Sequence, residues 1–161
     1  MTTEQQRTED RELATEPVAY WTGIAHQEIL AFIRARQAEA GFTQPQYWIL
    51  RFLSPHDLAA DDRGTTLPEL TDTTKSYRQA EDDLAADAEI LLERGWITRE
   101  PDGRLRITGA GDRARTELKA RAPAWRAHIH AGIDDADYAT TVRVLQRMLR
   151  NVRGEEDGSE R

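Results

Sequence analysis

Apolar residues recur at three- and four-residue steps along most of the chain, broken once by a short stretch of strict alternation. From Val18, the positions Trp21, Ala25, Ile29, Phe32 and Ile33 form one stripe ending at Gly41, which predicts a helix closed by a left-handed glycine. Thr43 and Gln46 form a capping box, in which each side chain can satisfy an orphan amide of the other. Tyr47, Trp48, Ile49, Leu50, Phe52 and Leu53 follow almost without a break, so this second, short helix is expected to be buried. Ser54-Pro55-His56-Asp57 can cap one more turn before the polar loop Asp61-Asp62-Arg63-Gly64. Thr66-Leu67-Pro68-Glu69 is another capping box, opening a short helix with Leu67 and Leu70 inward.

Ser76 with Gln79 repeats the signature, and Tyr77, Leu84, Ala88, Leu91 and Leu92 then keep one apolar stripe. The spacing predicts a helix from Ser76 to Arg94, stopped by Gly95. Next, Ile97 alternates with polar neighbours, and Leu105 and Ile107 alternate with Arg104 and Arg106. Pro101-Asp102-Gly103 between them has the composition of a tight turn, so a two-stranded ribbon is expected. Thr108 caps a further helix whose stripe runs through Ala114, Leu118, Trp125, Ile129 and Ile133, with a kink at Pro123. Asp134 caps the last helix, where Tyr138, Val142, Leu145, Leu149 and Val152 align while Arg143, Arg147 and Arg150 face out.

The predicted fold is mainly α with a small β-hairpin (α+β). Helix, turn, capped helix and basic ribbon over residues 42–108 are the plan of a winged helix-turn-helix, whose second helix enters the DNA major groove while the ribbon follows the backbone or minor groove. Residues 18–41 and 109–153 supply long flanking helices. Their apolar stripes exceed what so small a unit needs for its own core, so they are expected to meet a second copy of the chain. Residues 1–17 and the acidic stretch 154–161 lack apolar periodicity and are expected as disordered tails.

Charge refines this picture. The 161 residues carry a net charge of −7, but 20 acids and 19 bases remain once the two tails are set aside. Residues 56–95 hold eleven acids and four bases, whereas residues 96–126 hold four acids and eight bases. The ribbon is basic. Glu81, Asp82, Asp83 and Asp87 are expected on the exposed face of the helix before it, where they repel phosphate and forecast weak, salt-sensitive binding.

Candidate chemistry narrows accordingly. The chain has no cysteine, no glycine-rich phosphate loop and no G-x-S-x-G elbow, so catalysis is not expected. His128 and His130 stand two apart, on different faces of a helix, and with His26 and His56 read as surface residues; no metal or cofactor is expected. No apolar run is long enough for a membrane span, and a cytoplasmic location is the default. The DNA-contact candidates are Arg104 at the hairpin turn, Arg99 and Arg106 beside it, and Lys75, Ser76, Arg78 and Gln79 at the start of the helix before the ribbon. The bland alternatives are solvated arginines and, for Ser76 and Gln79, capping alone. Trp21, Tyr47, Trp48 and Trp125 are candidates for a ligand pocket, against the alternative that they are core.

Several phrases resemble the multiple antibiotic resistance regulator (MarR) family of bacterial winged-helix repressors. They are Tyr20-Trp21, Phe42-Thr43 through Tyr47-Trp48-Ile49-Leu50, Leu67-Pro68-Glu69-Leu70, Leu91-Leu92-Glu93-Arg94-Gly95-Trp96-Ile97, Leu105-Arg106-Ile107-Thr108-Gly109-Ala110-Gly111, and Tyr138-Ala139-Thr140-Thr141-Val142-Arg143-Val144-Leu145. The resemblance covers roughly Val18 to Val152. It implies a homodimer on a pseudo-palindromic operator, released by small, often phenolic or otherwise aromatic, ligands. Two recognition helices in one dimer would by their geometry address half-sites about 10 base pairs apart. The competing reading is a winged-helix adaptor that offers its acidic face to a protein partner.

Overall fold

Helix α3 (Gln44–Leu53) is the element around which the core forms. Thr43 accepts from the Gln46 amide while the Gln46 side chain accepts from the Thr43 amide, so the expected capping box is present in both halves. The Ile49 and Leu50 side chains are fully buried, and Leu53 is nearly so. Around them gather Leu70 of α4 (Leu67–Thr73), Leu84, Ala88 and Leu91 of α5 (Leu84–Glu93), and Leu118 of α6 (Gly109–Lys119). The predicted ribbon is β2 (Ile97–Arg99) and β3 (Arg104–Ile107), antiparallel, with Ile97 opposite Ile107. Its inward residues Ile97 and Leu105 close the core from one side.

The structure, a computed structural model, describes residues 3–154. Among these the ribbon gains a third strand. The two residues of β1 (Thr65–Thr66) pair with β3, giving the order β1-β3-β2, because the chain leading into α4 runs alongside Arg104 and Leu105. Two residues are too few to show an alternating pattern in the sequence.

The segment expected as an N-terminal tail contains the helix α1 (Thr3–Leu13), whose described side chains are exposed. Its Glu, Gln and Arg residues are good helix formers even without an apolar stripe. Of the expected acidic tail at 154–161, residues 155–161 lie outside the described residues. Helix α2 (Val18–Glu39) follows the expected span, and Gly41 takes the left-handed conformation with φ +79°.

The long helix after Thr108 is not kinked but broken. Thr108 caps α6 as expected, α6 stops at Lys119, and a new helix α7 (Ala122–Ile129) starts with Pro123 in its first turn. A proline is tolerated there because it has no amide to leave unpaired, whereas in a continuous helix its ring would collide with the carbonyl four residues back. The last helix is α8 (Asp135–Arg153); Asp134 stands at its N-cap position but, contrary to expectation, its side chain makes no capping bond.

The chain divides into two units, residues 1–122 and 123–161. In the first, α2 leaves Val18, Tyr20, Trp21, Ile24 and Ile29 exposed. In the second, neither α7 nor α8 has a buried residue, and Val144, Leu149 and Val152 lie open, Val152 at 88% exposure.

Candidate nucleic-acid interface

The helix before the ribbon begins eight residues later than the periodicity predicts. Helix α5 starts at Leu84, and its N-cap is Asp83, whose carboxylate accepts from the amides of Ala85 and Ala86 at 3.0 Å each. Ser76 and Gln79 make no box. Residues 74–77 instead wind on from the end of α4, with the Tyr77 and Arg78 amides donating to the Thr74 carbonyl. The ring of Tyr77 packs against Trp48 at 6.0 Å. Lys75, Ser76, Arg78 and Gln79 therefore lie on the connection between α4 and α5, not on the helix.

What sets this start is a contact from far away in the chain. The Arg34 guanidinium on α2 donates to both carboxylate oxygens of Asp82, at 2.9 and 2.8 Å, and its Nε donates to Gln44. Asp82 also accepts from the Gln79 amide at 2.8 Å. A two-pronged, largely desolvated pair of this kind is stronger and more directional than a single surface contact. It fixes residues 79–82 as a turn, and Asp83 is then the first residue free to cap. Replacing Arg34 with Met is expected to raise hydrogen exchange in the 79–86 segment about tenfold, the cost of one charge-assisted bond. Exchange followed by mass spectrometry on peptides spanning that segment checks this, and unchanged protection would rule the contact out.

The four carboxylates expected on the exposed face are mostly accounted for internally. The Asp82 side chain is only 4% exposed in its pair with Arg34. Asp83 caps the helix. Asp87 points inward at 8% exposure and accepts from the Thr43 hydroxyl at 2.7 Å and the Gln46 side chain at 2.8 Å, joining α5 to the start of α3. Glu81 and the capping Asp83 remain exposed. The outward face of α5 is instead made of Ala85, Ala86, Glu89, Ile90 and Glu93. The apolar stripe had predicted Leu84, Ala88 and Leu91 as the inner face correctly, but Asp87 shares that face at a polar junction that periodicity does not register.

Each ribbon arginine has an internal partner. Arg99 pairs with Glu89 across the outer edge of α5. Arg106 donates to the Asp62 carbonyl and lies 3.7 Å from Glu100. Arg104 is not at the turn, which is closed by Pro101, Asp102 and left-handed Gly103; it opens β3 opposite Thr66. Its guanidinium folds back to the Gly64 carbonyl at 2.9 Å, with Glu69 at 3.5 Å and Asp102 at 3.6 Å. Glu69 is held below the usual carboxylate range, first by its bonds to Thr66 and further by Arg104. Arg104 thus fastens β1 and the start of α4 to the ribbon, while Arg99 and Arg106 are the more exposed pair.

The aromatic candidates for a pocket do not converge within the first unit. Trp21 is 53% exposed on α2, edge-on to Tyr20 and bonded to Glu16. Tyr47 and Trp48 are consecutive on α3 and half-buried. Tyr47 lies under Arg51, and burial pushes its hydroxyl above its usual pKa, whereas Trp48 faces Tyr77. Trp125 belongs to the second unit and is half-buried on α7.

Solved structures share this architecture. A MarR-family protein from Mycobacterium tuberculosis superposes with a TM-score of 0.63 at 21% identity, over 82% of this chain and 93% of that one. The reduced form of MarR from E. coli gives 0.63 at 16% identity, over 83% and 94%. CouR from Rhodococcus jostii RHA1, solved bound to p-coumaroyl-CoA, gives 0.61 at 17% identity, over 91% and 97%. No family model and no curated protein matches the chain. Among the described residues no helix is long and apolar enough to cross a membrane.

Proposed function

Starting from a chain with the fold of the MarR-family transcriptional regulators, we propose that it is a cytoplasmic homodimeric DNA-binding regulator, acting as a repressor on a pseudo-palindromic operator. The observation that carries this reading is the outward face of α5. A helix anchored on its inner side by Leu84, Asp87, Ala88 and Leu91 leaves its opposite side bare, directly beside an arginine-bearing ribbon. That is the juxtaposition a helix in the major groove and a wing on the backbone require. The pairing of Asp82 with Arg34 and the burial of Asp87 take two of those carboxylates off this surface.

Dimerisation is supported by α2, where Tyr20, Trp21, Ile24 and Ile29 are exposed, and, separately, by α8, where Val144, Leu149 and Val152 are exposed. Two copies would set half-sites about 10 base pairs apart. Lys75, Ser76, Arg78 and Gln79 are proposed as backbone contacts from the connection ahead of α5, and Arg99 and Arg106 as phosphate contacts from the wing. A small aromatic effector is proposed to release the DNA. Trp21, Trp48 and Trp125 offer intrinsic fluorescence by which candidate effectors can be screened.

The test is retardation of DNA from the chain's own upstream region at low salt, with and without competitor. Sequence-specific retardation supports the reading. No retardation at any salt favours an adaptor whose Glu89 and Glu93 meet a protein partner. Within the first outcome, Arg99→Ala and Arg106→Ala are each expected to lower the slope of log affinity against log salt by about one unit, the loss of one phosphate contact. Arg104→Ala, by contrast, is expected to leave that slope unchanged and to lower stability, because its partners are Gly64 and Glu69. A slope that falls with Arg104→Ala alone would reverse the assignment.

A further inference from the structure

The base-facing side of α5 has an uncommon composition. Ala85 and Ala86 open the helix, Glu89 follows one turn later, Ile90 flanks it, and all four are exposed. The side chains that grip guanine or adenine through two bonds, namely Arg, Lys, Asn and Gln, are absent from the whole of α5. Nor is the helix start open to a phosphate, since Asp83 already accepts from the amides of Ala85 and Ala86. Methyl surface and one carboxylate acceptor remain. In the major groove the complement of the first is the thymine C5 methyl group, and the complement of the second is the cytosine N4 amino group. A bare carboxylate would be driven out by the surrounding phosphates. Arg99, reaching from β2, pairs with Glu89, offsets its charge and restrains its rotamer.

We infer that Glu89 reads a cytosine at one position of each half-site and that Ala85 and Ala86 read thymine methyl groups beside it, with Arg99 positioning Glu89 through Nη2 while the rest of its guanidinium meets the phosphate. The inference rests on the DNA-binding reading and deepens it by naming the bases.

Sites enriched from random-sequence duplex DNA by the wild-type chain, by Glu89→Gln and by Glu89→Ala test it. The wild type is expected to enrich a sequence with one cytosine per half-site, and exchange of that base pair to cost about tenfold in affinity. Glu89→Gln is expected to exchange that cytosine for adenine, because a carboxamide bonds adenine N6 and N7. Glu89→Ala is expected to lose the preference at that position alone. Deoxyuridine in place of the neighbouring thymines should weaken wild-type binding about fourfold per methyl group removed, the worth of one buried methyl. Glu89 is exposed, so both variants are expected to fold, which far-UV circular dichroism verifies. If all three proteins enrich one and the same sequence, or if deoxyuridine makes no difference, the inference falls and DNA binding stands. If the wild type enriches nothing, the DNA-binding reading falls and the inference with it.

Discussion

Asp57→Ala is expected to lower the free energy of unfolding by about 3 kcal/mol, the typical cost of removing one partner from a buried charge pair. Asp57 and Arg115 are each only 4% exposed at the side chain and meet at 2.9 Å. Arg51 donates to Asp57 from α3 at 3.1 Å, and Lys119 lies 3.4 Å away. Arg115 turns its Nε to Asp112 at 2.9 Å, and Asp112 accepts from the Ser54 hydroxyl at 2.6 Å. The network ties the end of α3 and the turn after it to α6. Removing Asp57 leaves the buried Arg115 guanidinium with Asp112 as its only carboxylate. Urea unfolding followed by circular dichroism reads the result as a fall in the midpoint, and a shift under about 0.5 kcal/mol, the range of ordinary surface substitutions, would show the network to be ornamental.

The same network sets an acid limit. Burial pushes Asp57 upward, but its bonds and charge interactions with Arg51 and Lys119 outweigh that and hold it below its ordinary value of 3.8. Asp112 is held below 3.8 chiefly by the Ser54 hydroxyl, with burial opposing and Arg115 adding to the shift. A carboxylate depressed in the folded state contributes stability that is complete above its unfolded pKa and is lost as pH falls through its folded pKa. Stability should therefore decline below about pH 4, and the decline should be shallower in Asp57→Ala.

Gly111→Ala is expected to cost about 3 kcal/mol, the upper end for forcing one carbon into a packed site. A Cβ at this position would overlap the Trp96 carbonyl and press on the Ile107 side chain. That carbonyl already accepts from the Thr108 amide at 2.9 Å, so it cannot yield without opening the junction between β2 and α6. Gly95 is the control. It has φ +66° and nothing near its would-be Cβ, so Gly95→Ala should cost only the left-handed backbone penalty of about 1 kcal/mol. Thermal unfolding of the two variants compares them, and equal losses would mean that crowding at Trp96 is relieved by a small shift.

The local signals in the chain proved sufficient for most of the fold. Both halves of the Thr43–Gln46 and Thr66–Glu69 boxes form, Thr108 caps α6, and Gly41, Gly95 and Gly103 take positive φ. The Ser76–Gln79 signature had the same local quality and lost to tertiary forces. Asp83 is an equally good cap, and Arg34, 48 residues from Asp82, holds the turn that leads into it. Asp87 looked like surface because a carboxylate inside a helix usually is. Its two donors, Thr43 and Gln46, come from the capping box of another helix, and no spacing rule connects them. β1 went unread because two residues carry no period. The site was legible as a helix beside a basic ribbon. Which arginines are tied down and which face of α5 is bare depended on contacts between distant segments.

The tie between Arg34 and Asp82 also bears on the order in which the molecule assembles. Closing so long a loop carries an entropic cost that nearby contacts must first offset. The α2 and α3 helices can nucleate from their own caps and stripes, whereas the first turn of α5 acquires its register only after segments far apart in the chain have met. The surface proposed to read bases is on that ground expected to be among the last parts of the first unit to take shape.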